Sequence, residues 1–172
     1  YGNQPRIAVW NMAQLATALI QLMDDKDAAV EQATAIVHAM PGQVQAAWLR
    51  RFGAKIGLAK PKAEDQQLIE ELLALMQADG TDFTNAFAAL GTDAARDHFV
   101  DRDAYDAWED KWRKLNPDTE IMARANPQII PRNHRIEEMI EAAVGGDMDP
   151  FKRLMDALSQ PYDLPATFDD LR

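Results

Sequence analysis

Apolar residues recur at helical spacing along almost the whole chain. Met12, Leu15, Ala16, Leu19, Leu22 and Met23 fall on one face of a first helix, and Ile7, Val9 and Trp10 add apolar area on its other sides. A helix apolar on more than one side is expected to be buried centrally. Asp24 to Asp27 is a polar link with N-cap chemistry, after which Val30, Ala33, Val37 and Met40 carry a second helix as far as Pro41. Pro41-Gly42 reads as a turn. A third helix turns Val44, Ala47, Trp48 and Phe52 inward and displays Arg50, Arg51 and Lys55 before Gly57 closes it. Ala59 to Lys62 is the best linker. Beyond it Leu68, Leu72, Leu75 and Met76 form an amphipathic helix that Gly80 ends, and Thr81 or Asp82 caps a short helix holding Phe83, Phe87 and Leu90 up to Gly91.

After a connection containing His98, the chain carries its most aromatic stripe: Tyr105, Trp108, Trp112 and Leu115, spaced 3, 4 and 3. Such a stripe can stack bases, but Asp101, Asp103, Asp106, Glu109 and Asp110 beside it would repel phosphate, so core packing is expected. Asn116-Pro117-Asp118 then leads into a short helix around Ile121 and Met122. The segment from Asn126 to Arg132 should run extended, because Pro127 and Pro131 lack backbone donors and push their predecessors out of the α region. Asn133 is a plausible N-cap for a helix with Ile136, Met139, Ile140, Ala143 and Val144 on one face, ended by Gly145-Gly146. Asp149-Pro150 opens another helix, with Phe151, Leu154 and Leu158, that Pro161 stops. No fixed repeat recurs. The expected architecture is all-α, a multi-helix globular bundle.

Composition narrows the class. In 172 residues, 47% are hydrophobic and mean hydropathy is -0.37, which fits a folded domain burying roughly two thirds of its unfolded surface. No apolar run approaches the roughly 20 residues of a spanning helix, and no targeting signal is visible, so a cytoplasmic protein is expected. Cysteine is absent, which removes thiol chemistry from this stretch. The net charge of -10 is uneven: about +2 over residues 1–60, -8 over 61–125 and -4 over 126–172. That field disfavours autonomous binding to nucleic acid or anionic lipid.

Self-contained chemistry is hard to find. His38, His98 and His134 are scattered, and the acidic pairs Glu70-Glu71, Asp101/Asp103 and Asp147/Asp149 belong to no calcium loop. No glycine-rich phosphate loop is present, and Ser159, the lone serine, lacks a nucleophile elbow. Arg50, Arg51 and Lys55, the only basic cluster, could meet an acidic partner or phosphate, or form a solvated face. His134 could line a cleft or hydrogen-bond carbonyls at the helix start, and Arg132 has the fork geometry for a carboxylate or a phosphate.

The stretch from Asn126 to Tyr162 resembles the C-terminal part of the SelO (YdiU) family, whose pattern reads roughly NPxxIPRNHxIExxIxxAxxGDxxPFxxLxxxLxxPY. The opening Tyr1-Gly2-Asn3-Gln4-Pro5-Arg6-Ile7-Ala8-Val9-Trp10-Asn11 is similar to a second signature. Lys55-Ile56-Gly57-Leu58 and Asp82-Phe83-Thr84-Asn85-Ala86-Phe87 fit weaker ones. The resemblance implies a protein-kinase-like fold of which this chain is the C-terminal helical part, one helical domain over 1–172. It also implies transfer of AMP from ATP, with magnesium, to protein hydroxyl groups. The family's catalytic, nucleotide and metal residues lie upstream of Tyr1, so none is expected at a numbered position here. Arg172 is expected to be a truncation point. Asn3, Gln4, Pro5, Asn126, Pro127, Arg132, Asn133 and His134 are the motif residues, with a structural role expected. The partners implied are the upstream kinase-like catalytic region and protein substrates, with no nucleic acid and no membrane. A rival reading is an autonomous acidic helical interaction module. Burial of Ile7, Val9 and Trp10 would favour that module, whereas their exposure would point to an absent partner.

Overall fold

Helix α1 runs from Gln4 to Ile20 with Pro5 in its first turn, where a missing N–H costs nothing. Tyr1 and Arg172 lie outside the residues that the computed structural model describes, which are 2–171. Asp25 caps the next helix by accepting from the Ala28 N–H. Helix α2 then extends from Lys26 to Lys55 without a break, so the turn expected at Pro41-Gly42 does not form. Ala39, Met40, Gln43, Gln45, Ala46 and Ala47 around the proline all favour helix. The Val37 carbonyl that Pro41 leaves without its N–H belongs to a half-exposed residue, within reach of water.

The described residues divide into two compact units at the Arg50–Arg51 bond. In the first, no described residue is fully buried. The expected central burial of α1 is therefore not seen: Ile7, Trp10, Met12, Leu15 and Leu19 are all exposed, and an apolar groove of about 240 Å³ lies open between Met12, Leu15, Leu19, Ile36 and Met40.

The second unit has a conventional core. Helix α3 (Asp65–Asp79) packs on α5 (Arg102–Arg113), setting Ile69, Leu72 and Met76 beside Tyr105, Trp108 and Trp112. All six are buried. The two tryptophans stack 5.4 Å apart, and each indole N–H finds a carbonyl, Trp108 on Leu68 and Trp112 on Ile56, both at 2.8 Å. The aromatic stripe is thus core as expected, except that Leu115 stays exposed. Between these helices lie α4 (Phe83–Ala89) and a 3₁₀ turn (Ala95–His98). Asp101 caps α5, and Phe99 stacks on Tyr105 at 4.4 Å.

The end of α2 is pinned by close backbone approach. A Cβ on Gly53 would sit 2.5 Å from the Pro61 ring. One on Gly57, at φ +81°, would meet the Asp118 backbone, whose N–H donates to the Gly57 carbonyl at 2.9 Å. Helix α6 (Thr119–Ala125) follows, capped by Asp118. Helices α7 (Asn133–Val144) and α8 (Asp149–Ser159) form a hairpin, and a 3₁₀ tail (Ala166–Leu171) lies against α8. Arg153 grips the tail through both Asp170 carboxylate oxygens and the Thr167 carbonyl, and Arg135 donates to the Asp170 carbonyl.

Trp112→Phe removes the indole N–H and leaves the Ile56 carbonyl buried and unpaired. We expect a loss of about 1–3 kcal/mol, read as a lower midpoint in urea unfolding.

Candidate functional site

The extended segment from Asn126 to Arg132 holds most of the motif residues, and it is fixed at both ends and in the middle. Asn126 ends α6 in an extended conformation and is the one buried polar residue among those described. Its Nδ2 donates to the Lys55 carbonyl at 2.8 Å, and its Oδ1 accepts from Lys55 Nζ at 3.3 Å. Lys55 Nζ also donates to the Ala125 carbonyl and stands 5.5 and 5.2 Å from the ring centroids of Phe83 and Phe87. Lys55 is therefore not displayed with Arg50 and Arg51. Those two are exposed, whereas Lys55 turns inward to the carbonyls at the end of α6, and burial pushes its ammonium below the ordinary lysine range.

Midway along, the Gln128 N–H donates to the Pro161 carbonyl at 2.6 Å and its side-chain amide to Tyr162. Ile129 is buried with Ala157 and Leu164, and Leu158, Phe168 and Leu171 pack around them. Pro127 is half-buried between bends at Asn126 and Gln128.

At the far end Arg132 makes the bidentate contact its shape allows, to a carboxylate. Its Nη1 and Nη2 reach the two oxygens of Asp82 at 2.7 and 3.1 Å, and Nη2 also reaches Asn85 Oδ1 at 3.1 Å. Asp82 in turn caps α4 by accepting from the Asn85 N–H. The hydrogen bonds from Arg132 hold the Asp82 carboxyl below the usual carboxylate range. Arg132, extended at φ -81° and ψ 139°, occupies the cap position of α7, and its carbonyl takes the Ile136 N–H. Asn133 is consequently the first helical residue and not the cap expected from the sequence. His134 follows it, exposed, with no side-chain hydrogen bond among the described residues. Asn3, Gln4 and Pro5 lie at the start of α1 in the other unit, all exposed, and Asn3 makes no side-chain cap.

Sequence reasoning missed the partners: Lys55, Asp82, Asn85, Phe83 and Phe87. The signal was present, because all five belong to the two short motifs between the long ones. Among the described residues no group of three histidine, aspartate or glutamate side chains converges as metal ligands, and Asp82, Asp106 and Asp170 each engage an arginine. Those three carboxylates are held by guanidinium groups and are not open to a cation. The arrangement is a clamp.

Three of the four sequence motifs, those at 55–58, 82–87 and 126–162, meet in this clamp. The family model for protein adenylyltransferase SelO matches residues 1–159. The chain belongs to the SelO family. Proteins named protein nucleotidyltransferase YdiU are similar to it across nearly its whole length. The one from Roseobacter denitrificans is 59% identical over 97% of this chain, that from Ruegeria sp. (strain TM1040) 55% over 100%, and that from Mycobacterium sp. (strain KMS) 43% over 95%. The chain spans only 36%, 37% and 36% of those relatives.

Two variants test the clamp. Asn126→Ala strips Lys55 of an acceptor and leaves its carbonyl unpaired, and should cost about 1–3 kcal/mol. Asp82→Asn keeps the cap through its remaining oxygen but removes the charge and, because an amide nitrogen cannot accept, the Arg132 Nη1 contact as well. Because Asp82 is partly exposed, the expected loss is about 1 kcal/mol at pH 7. The pair stabilises above the unfolded carboxyl value of 3.8, and its contribution disappears as pH falls through the lower folded value. Urea titrations should show the gap between wild type and Asp82→Asn closing below pH 3.8.

Proposed function

We propose that this chain is the helical, supporting part of a protein adenylyltransferase that transfers AMP from ATP, with magnesium, to the hydroxyls of protein serine, threonine and tyrosine. In this reading the helices complete a kinase-like lobe and hold the end of its activation segment, near Asn3, Gln4 and Pro5. The upstream catalytic region supplies nucleotide, metal and catalytic residues, and the isolated chain neither binds ATP nor transfers AMP. The assembly works in the cytoplasm. No helix among the described residues is long and apolar enough to cross a membrane.

The observation that carries this reading is the exposure of α1. Trp10 is 62% exposed and Ile7 46%, on a helix with no buried residue, while the unit from Arg51 onward closes its own core. Apolar surface of that kind marks an interaction site. It supports a partner in the part of the relatives' length that this chain does not span, and it weighs against an autonomous module. The net charge of -10 weighs against a nucleic-acid partner.

The test is AMP incorporation from labelled ATP by a full-length protein containing this chain, comparing wild type with Arg132→Ala and His134→Ala after confirming that each folds. We expect Arg132→Ala to lower the melting temperature by several degrees, about 2–4 °C per kcal/mol, with transfer retained by the folded fraction, and His134→Ala to change neither. Loss of transfer in both folded variants would make the segment part of the mechanism and sink the supporting role. Robust incorporation by the isolated chain would sink it equally.

A further inference from the structure

We propose that a cleft beside α4 binds an uncharged stretch of polypeptide, taking one aliphatic side chain and the peptide groups on either side of it. The cleft has two chambers. One, of about 170 Å³, is lined by Phe87, Leu90 and Met122, each buried in the second unit. The other, of about 360 Å³, runs from Asn85 on α4 to His98 at the end of the 3₁₀ turn. Ala88, Thr92 and Gln128 border both, so the chambers adjoin at the end of α4, with the extended segment along their shared edge. The short side chains of Ala88, Ala89 and Ala94 leave that space open.

Charge and hydrogen-bonding capacity select the occupant. Among the described residues no lysine, arginine, aspartate or glutamate lines either chamber, in a chain of which 27% is charged. An ionic ligand would give up hydration there without meeting a counter-charge. The polar groups suit an amide instead. Arg132 Nη2 donates to Asn85 Oδ1, which fixes that amide and leaves its Nδ2, without a partner among the described residues, to donate to a ligand. The His98 ring also has no partner among them and can donate or accept. The Thr92 hydroxyl donates to the Ala89 carbonyl at 2.7 Å, so toward a ligand its oxygen accepts. Donors and an acceptor beside an apolar chamber large enough for one aliphatic side chain match the polypeptide repeat, in which a side chain branches between two peptide groups.

The test titrates N-acetyl-leucinamide into the isotopically labelled full chain, followed by two-dimensional NMR. We expect saturable shifts at the Asn85 side-chain amide and the Thr92 backbone N–H, with a Kd of about 1 mM, the strength so small a ligand can reach. The aspartate analogue of the probe, which carries a charge, should bind at least about ten-fold more weakly. Ala88→Leu fills the cleft where the chambers adjoin and should abolish the shifts. Asn85→Asp keeps an oxygen for Arg132 and sets a carboxylate in the first turn of α4, where it is tolerated, but removes the Nδ2 donor. It should weaken binding about ten-fold, read at Thr92, and it keeps the proposal testable if Ala88→Leu unfolds. Val144→Ser, at an exposed position on α7, should leave binding unchanged. Absence of shifts at about ten times that Kd, or shifts confined to residues outside the cleft, overturns the proposal. Equal binding of the aspartate analogue, or binding that a folded Ala88→Leu or Asn85→Asp retains in full, overturns it as well.

Discussion

The exchange between Lys55 and Asn126 is the constraint on which the second unit depends. Each residue supplies what the other lacks: an ammonium that cannot stay half-buried without acceptors, and an amide that cannot be buried without both a donor and an acceptor. Closing that exchange fixes the last turn of α2 against the end of α6. The same turn delivers the Ile56 carbonyl to Trp112 and the Gly57 carbonyl to Asp118. Three separate pieces of chain are thereby registered on one helix terminus, and the aromatic rings of α4 cover the charge that does it. Arg132 and Asp82 repeat the device at the other end of the extended segment, with more solvent and therefore less at stake.

The two units differ in how completely they satisfy themselves. From Arg51 onward, buried aromatic rings have their N–H groups paired, helices are capped by Asp82, Asp101 and Asp118, and the tail is gripped by two arginines. Before that bond, apolar side chains are arranged on good helices, and none of the described ones is fully buried. The chain spans about a third of the length of the relatives it matches.

Much of the fold was legible because its signals are local. The glycines at 57, 80 and 91 stop helices through positive φ, aspartates cap them, and the proline pair keeps residues 126–132 extended. The 3, 4, 3 aromatic spacing identified the main core through Trp112. What misled was context. Pro41 reads as a turn, but it lies in a helix exposed enough for water to take the orphaned carbonyl. Lys55 follows two exposed arginines and reads as surface, yet its direction is decided by carbonyls some 70 residues away. Asn133 has the right chemistry for a cap, but the extended backbone of Arg132, drawn toward Asp82, takes that position first. Helical periodicity could not report the openness of α1, because a pattern shows which face is apolar and not whether anything covers it.

The sequence separation of the clamp bears on how the chain is made. Lys55 leaves the ribosome 71 residues before Asn126, and at about 5–20 residues per second that is roughly 4–14 s of synthesis. Through that interval water, and not Asn126, meets the Lys55 ammonium and carbonyl. The end of α2 therefore cannot be registered on α6 until the asparagine has emerged.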